Sequence, residues 1–221
     1  MNTHKITHRL SALFLSLVML LLSPCAARAE NWGDNSRFKD VIPGQWYYAA
    51  IEYVTEHGYF NGVSRDLFSP STPMTRAMFV TALGRMAGID PADYSSTDFF
   101  DVDPESYYGG YVAWAVENEL VQGLDKAIFG PNENITREQI AVFLYRYAKY
   151  IGLDTSVGQT AQPQTFGGEN VVSPWAMTAM VWASNRGIMK GTSNGMEPQA
   201  QATRAQVAQM LYNFSKLTEN N

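Results

Sequence analysis

The chain has 221 residues, of which 16 are basic and 21 are acidic, so its formal net charge is −5 at neutral pH. It contains a single cysteine, which excludes an intramolecular disulfide framework and leaves too few ligands for a Cys/His zinc cluster. No basic run offsets the net acidity, and this argues against general nucleic-acid binding.

The first 29 residues have the three parts of an export signal. Lys5 and Arg9 precede the apolar run LSALFLSLVMLLLS, and ARA at residues 27–29 has the small residues of a cleavage site. The run is shorter than the roughly 20 residues of a membrane span. We therefore predict a cleaved signal peptide at 1–29 and an exported chain, whose net charge becomes −8 because three basic and no acidic residues are removed. An uncleaved anchor and lipidation at Cys25 are the alternatives.

The rest of the chain contains an internal repeat, which is the sequence signature of a repeat fold. RFKDVIPGQWYYAAIEYV in repeat 1 corresponds to DFFDVDPESYYGGYVAWA in repeat 2, and Asp40 and Asp101 illustrate their constant spacing of 61 residues. The third copy is looser and follows a polar linker rich in Gly and Pro. The predicted boundaries are 37–88 for repeat 1, 98–150 for repeat 2, 151–165 for the linker and 166–217 for repeat 3.

Each repeat predicts a helix, a loop and a second helix. In repeat 1 the first helix runs from about Trp46 to His57, where Gly58 is a suitable C-cap. The second helix starts at Thr75 and has an apolar face made by Phe79, Val80, Leu83 and Met86. One such helix pair cannot bury its apolar stripe alone. We therefore predict an all-α fold, with three helix-loop-helix repeats in a pseudo-threefold, three-pronged assembly around a shared helical core.

A Thr-Arg pair opens the second helix of every repeat. The threonines, Thr75, Thr136 and Thr203, fit N-cap positions, where the side chain satisfies a backbone amide and contributes about 1 kcal/mol. Gln139 and Gln206 lie three residues later and complete a capping box in repeats 2 and 3. Met78 occupies the same position in repeat 1 and cannot, so this helix start is predicted to be the least secure.

The arginines of these pairs have two interpretations. A cation in the first helical turn is mildly unfavourable because of the helix macrodipole. In the first interpretation the arginine binds an anionic ligand, which would also be stabilised by the free backbone amides and the dipole of the helix N-terminus. A guanidinium can bind a carboxylate there with two parallel hydrogen bonds. The alternative is an ion pair with a carboxylate of a neighbouring repeat. The ligand interpretation predicts that Arg→Ala substitutions weaken binding without lowering thermal stability.

These motifs resemble the S-layer homology (SLH) domain family. The resemblance rests on Phe-x-Asp-Val, an aromatic residue at the first helix start, Gly-x-x-x-Gly, a Phe-x-Pro loop and Thr-Arg, and it extends from about residue 37 to 217. It implies modules that come in threes and hold exported proteins on the cell wall. Their ligand is secondary cell-wall polysaccharide, typically bearing a pyruvate ketal, bound in grooves between neighbouring repeats.

The resemblance implies three kinds of glycan-binding residue, namely the Thr-Arg arginines, the first-helix aromatics and the loop glycines. In this chain they are Arg76, Arg137 and Arg204; Trp46, Tyr107 and Trp175; and Gly62, Gly123 and Gly191. The aromatics could instead be core or staple residues. Asp40 and Asp101 either cap the following turn or bond sugar hydroxyls. Gly168 stands at the corresponding position of repeat 3, which departs from the family pattern.

Catalytic signatures do not emerge from the sequence. No carboxylate pair has a spacing recognisable for glycoside hydrolysis, and there is no nucleophile elbow, phosphate loop or metal motif. We predict a non-enzymatic protein of the cell wall or surface that needs no cofactor or metal and binds an acidic, pyruvylated wall polysaccharide. The alternative is a structural or protein-interaction module of the envelope, which would dock on a wall-bound protein partner.

Overall fold

The computed structural model describes residues 36–157 and 171–219, so the predicted signal peptide and most of the linker lie outside the described residues. Across these two ranges the chain forms six α-helices and no β-strand, which confirms the all-α prediction. The helices are α1 (Tyr48–Glu56), α2 (Arg76–Met86), α3 (Gly109–Glu117), α4 (Arg137–Tyr150), α5 (Met177–Asn185) and α6 (Arg204–Glu219). None of the helices described is both long and apolar enough to cross a membrane.

The second helix of each repeat begins where the sequence predicts. Thr75 and Thr136 are extended N-caps, and each threonine Oγ1 accepts a hydrogen bond from the amide three residues later. In repeats 2 and 3 the glutamine at that position returns the bond, because the Gln139 and Gln206 side chains accept from the amides of Thr136 and Thr203. The capping box is thus present twice and absent from repeat 1, as its Met78 requires.

The helix pairs that pack against each other belong to different repeats. α2 of repeat 1 packs on α3 of repeat 2, and α4 of repeat 2 packs on α5 of repeat 3. α6, the last helix, packs on α1, the first. Each second helix therefore buries its apolar face against the first helix of the next repeat, and the chain returns to its start. This cyclic pairing is compatible with the predicted pseudo-threefold assembly.

Three short extended segments meet where the loops enter the second helices. The backbone amide of Met74 donates to the carbonyl of Ala202, that of Ala202 to Ile135, and that of Ile135 back to Met74, with N···O distances of 2.9–3.0 Å. All three side chains are buried. The closed ring of hydrogen bonds joins the repeats directly before the three threonine caps, and so it sets the relative positions of the three Thr-Arg pairs.

Candidate functional site

The three Thr-Arg arginines are buried side chains that cross from one repeat to the next. Arg76, Arg137 and Arg204 are 2%, 2% and 5% exposed. Each guanidinium donates through Nε and Nη2 to two backbone carbonyls in the following repeat's loop. The acceptors are Phe129 and Gln122 for Arg76, Met196 and Lys190 for Arg137, and Phe68 and Asn61 for Arg204. The arginines thus tie α2, α4 and α6 to neighbouring loops.

The backbone amides at the same helix starts are also used within the protein. In α2 the amides of Arg76 and Ala77 donate to the carbonyls of Glu133 and Pro131, at 2.9 and 3.1 Å, and α4 and α6 repeat this pattern with the next loops. The third amide donates to the threonine cap. The sequence predicts that the N-terminal amides of these helices are available to an anion, but in the structure they are already bonded to loop carbonyls and threonine caps.

The arginines remain cationic although they are buried. Burial lowers the pKa of all three, to about 10 for Arg76, and a nearby carboxylate opposes this shift in each case. Asp101 acts on Arg76, Asp40 on Arg204 and Glu197 on Arg137. At neutral pH each guanidinium is protonated, so its bonds to the carbonyls are charge-assisted.

Asp40 and Asp101 fix the loops that the arginines bind. The two carboxylate oxygens of Asp40 accept from the amides of Phe68 and Ser69, at 2.9 and 2.7 Å, and Asp101 binds Phe129 and Gly130 in the same way. The acceptor and its amides are 28 and 29 residues apart. Capping is therefore the geometry observed, but at the distant loop turn rather than at the turn that directly follows the aspartate.

Two of the loop glycines are required by space. A Cβ on Gly62 would overlap the Phe38 ring and the Leu67 carbonyl oxygen, and one on Gly123 would overlap Phe99 and the Asp125 carbonyl. At Gly191 the nearest atom, the carbonyl oxygen of Gly195, is 3.0 Å from the Cβ position, so this loop is less tightly closed. The glycines let each loop fold back on itself beside the carbonyl that receives an arginine.

The first-helix aromatics lie on the surface. Trp46, Tyr107 and Trp175 are 59%, 58% and 59% exposed, so none of them is a core residue. Trp46 and Tyr107 each contact the following tyrosine edge to face, with ring centroids 5.3 and 5.1 Å apart. An exposed ring held by an aromatic neighbour is suited to stacking against the apolar face of a sugar.

One groove brings together a predicted residue of each kind. It is a cavity of about 390 Å³, within the roughly 300–1,000 Å³ of small-molecule sites. Trp46 of repeat 1, Arg137 of repeat 2 and Gly191 of repeat 3 all line it. The other lining residues come from repeat 3 and are Ile188, Lys190, Thr192, Gln206, Gln209, Met210 and Asn213. We call this cavity the Trp46 groove. The packing of α1 on α6 is what brings Trp46 to the residues of repeat 3.

The Trp46 groove is cationic in an acidic protein. Arg137 and Lys190 line it, and none of the described residues in its lining carries a carboxylate. Glu197 is not a lining residue, and its carboxylate accepts a 2.5 Å hydrogen bond from the lining residue Thr192. The α6 wall adds side-chain amides, which can donate to and accept from hydroxyl groups. The groove therefore offers positive charge, polar amides and one aromatic face.

The remaining predicted residues are not gathered in this groove. Arg76 and Arg204 hold equivalent positions at the other repeat boundaries, beside the loops of Gly123 and Gly62. Asp101 lines a second cavity of about 220 Å³, together with Leu124, Gly130 and Glu133. This cavity has two carboxylates in its lining, so it is suited to a different class of ligand from that of the Trp46 groove.

Sequence reasoning missed Lys190, the amide wall of α6 and Glu197. Glu197 has a φ of +45°, at the loop position where Gly130 has +75° and Ser69 has +60°. It supplies the negative charge beside Arg137 in the repeat that has Gly168 in place of the aspartate. The signal was available in the repeat alignment, because Lys190 corresponds to the neutral residues Asn61 and Gln122.

The cyclic helix pairs and the groove define a three-repeat helical module in which residues of all three repeats line the Trp46 groove. The chain belongs to the S-layer homology (SLH) domain family, since the model for that domain matches residues 37–78, 98–141 and 170–208. The three tandem matches confirm the resemblance found in the sequence.

Similar proteins place the module in larger chains. An endoglucanase of Bacillus sp. (strain KSM-635) is 29% identical over 202 residues, which are 90% of this chain and 21% of that protein. Exoglucanase XynX of Acetivibrio thermocellus is 26% identical over 89% of this chain and 19% of its own length. The surface-layer 125 kDa protein of Lysinibacillus sphaericus is 32% identical over 55% of this chain and 10% of its own length. This chain thus spans about a fifth or less of these relatives.

Proposed function

We propose that this protein is a non-catalytic, exported module that attaches to the cell surface by binding an acidic secondary cell-wall polysaccharide. The observation that carries the proposal is the Trp46 groove, which combines two cations, an exposed tryptophan and amide side chains, with no carboxylate among the described lining residues. Membership of the SLH family and the similarity to a surface-layer protein support the same cell-surface role. The glycoside hydrolases among the relatives fit a module that is shared by enzymes and surface proteins.

The groove suggests how a sugar would bind. The exposed face of Trp46 would stack on the apolar face of the ring, while the glutamine side chains of α6 would meet its hydroxyl groups. The cationic lining would contact an acidic substituent, which we propose to be the carboxylate of a pyruvate ketal. Several weak sites on one module can act together on a polymer, so tight binding at a single groove is not needed.

The proposal contains no catalytic step. Glycoside hydrolysis needs a pair of carboxyl groups on either side of the scissile bond, and the described lining of the Trp46 groove contains no carboxyl group. The hydrolase activity named for the relatives belongs to proteins at least several times longer than the matched segment.

The proposal is tested by sedimentation of the mature protein with purified wall sacculi. Three preparations are compared, namely intact sacculi, sacculi from which pyruvate has been removed, and sacculi stripped of the secondary polymer. We expect retention by the first and loss of retention by the other two. The Trp46→Ala variant should bind intact sacculi less, while an exposed loop residue outside the groove, as in Arg65→Ala, serves as control. Equal retention by all three preparations would refute binding to the pyruvylated secondary polymer.

A further inference from the structure

Lys190 holds a defined position in the wall of the Trp46 groove. Its backbone carbonyl accepts the 2.7 Å hydrogen bond from Arg137 Nη2, so the buried guanidinium holds the main chain from which the lysine projects. The side chain itself is exposed. Its ammonium group forms no ion pair with any carboxylate in ranges 36–157 and 171–219. The groove therefore contains one fixed, buried cation and one solvent-accessible cation.

Arg137 has little capacity left for an acidic ligand. A guanidinium grips a carboxylate best with two parallel N–H bonds from one edge of its plane. The Nε–Nη2 edge of Arg137 is already used by the carbonyls of Met196 and Lys190, at 2.8 and 2.7 Å. The side chain is 2% exposed, so only a small part of the guanidinium faces the groove.

Lys190 has the opposite properties. Three donors on a flexible stem can follow an acidic group within the groove, and among the described lining residues there is no carboxylate to compete for them. The carboxylate of Glu197, which is outside the lining, accepts a hydrogen bond from Thr192 and attracts Arg137. We propose that Lys190, rather than Arg137, is the main residue contacting the acidic group in the Trp46 groove. This inference rests on the proposed glycan-binding function, and it makes Arg137 a positioning residue.

The comparison between repeats makes this cation specific to one groove. Arg76 and Arg204 bind the carbonyls of Gln122 and Asn61, just as Arg137 binds that of Lys190. The arginine therefore binds the loop backbone in the same way at all three boundaries, but the residue whose carbonyl it binds is charged only at position 190. A preference for an acidic sugar at this loop position is thus a property of the Trp46 groove.

The decisive variant is Lys190→Gln, which places the residue of repeat 2 at this position and keeps the carbonyl that Arg137 binds. Binding is measured by calorimetry with a methyl hexoside 4,6-pyruvate ketal and with the same hexoside lacking the ketal. We expect the variant to bind the ketal roughly 10- to 100-fold more weakly, as for a lost charge-assisted hydrogen bond. Its Tm should stay within about 2 °C of the unmodified protein, since an exposed side chain is changed.

Two further variants separate charge from folding. Lys126→Gln removes an exposed charge in repeat 2, outside the groove lining, and should leave ketal binding unchanged. Arg137→Met is measured at a low temperature where circular dichroism shows that it is folded. Its residual binding should still weaken steeply with salt, because Lys190 is present, whereas the salt dependence should flatten in Lys190→Gln. A structural role alone for Lys190 would leave the salt dependence unchanged.

The measured outcomes distinguish failure of the Lys190 inference from failure of the proposed glycan-binding function. If Lys190→Gln binds the ketal within twofold of the unmodified protein, Lys190 is not the anion contact, and the inference is wrong while glycan binding stands. If Arg137→Met alone removes the salt dependence, the arginine makes the contact instead. If the unmodified protein fails to bind either hexoside and is not retained by sacculi, the proposed function itself is refuted.

Discussion

Arg76→Ala should destabilise the fold, because the side chain is a buried link between repeats 1 and 2. The substitution removes two charge-assisted hydrogen bonds, at 2.9 and 2.7 Å, and leaves the carbonyls of Phe129 and Gln122 without this donor. It also removes the guanidinium from the Phe129 ring, whose centroid lies 4.7 Å from Arg76 Cζ. The repeat 2 loop would keep its backbone hydrogen bonds from the amides at positions 76 and 77 to Glu133 and Pro131, but it would lose these side-chain contacts with α2.

The expected loss is about 3 kcal/mol. Hydrogen bonds to charged groups contribute about 1.5–3 kcal/mol each, and we take the lower value because burial already disfavours this cation. For a protein of this size, 1 kcal/mol corresponds to about 2–4 °C, so Tm should fall by about 6–12 °C. The assay is thermal unfolding followed by circular dichroism, with chemical denaturation to give the free energy.

Arg65→Ala is the matched control. Arg65 is an exposed arginine in the loop of repeat 1, and its removal should change stability by less than about 0.5 kcal/mol. The sequence-based interpretation gives the opposite pattern for Arg76→Ala, with weaker glycan binding and unchanged stability. A Tm within about 1 °C of the unmodified protein would therefore refute the structural role of Arg76 as a link between repeats and favour a ligand contact.

Three further substitutions should raise Tm in the same unfolding assay. Glu119 has a φ of +57° after α3, at the position where Gly58 and Gly187 have +70°. Glu119→Gly should stabilise the fold by about 0.5–1 kcal/mol, because glycine adopts this left-handed conformation without steric strain, and an unchanged or lower Tm would contradict this. Thr81 Oγ1 is buried without a hydrogen-bond partner among the described residues. Thr81→Val should therefore stabilise the fold by about 1 kcal/mol, and a lower Tm would indicate that the hydroxyl does have a hydrogen bond. Met78→Gln should complete the missing capping box and gain about 0.5 kcal/mol, whereas the same change at an exposed mid-helix site should not.

The local features of the fold could be predicted from the sequence because they depend on near neighbours. Thr75 and Thr136 cap helices since a hydroxyl reaches an amide only three residues away, and repetition made this pattern visible. The apolar face of α2 was predicted from its spacing, and Phe79 and Leu83 are fully buried, although Met86 at the helix end is only partly so. An apolar stripe does not specify its partner, so the packing of each second helix on the next repeat was not predictable.

The site was harder to predict because its contacts are distant in sequence. Arg76 bonds to carbonyls 46 and 53 residues away, and a helix-dipole argument considers only the local turn. Asp40 caps amides 28 and 29 residues away for the same reason. The residue types of the groove were predictable from repetition, but their distribution over three repeats depends on the cyclic helix pairing. Lys190 could not be predicted from repetition, because it differs from its counterparts Asn61 and Gln122 and a repeat identifies only the residues that its copies share.

Closure of the fold and formation of the groove depend on the same contacts. Arg137 holds the carbonyl of Lys190, and the packing of α1 on α6 brings Trp46 to the opposite side of the cavity. A single repeat would have neither acceptors for its arginine nor a partner for its second helix. The smallest unit able to form this groove therefore includes all three repeats. The buried arginines are best understood as residues that build the proposed binding site by joining the repeats, while exposed side chains on the joined loops distinguish one groove from another.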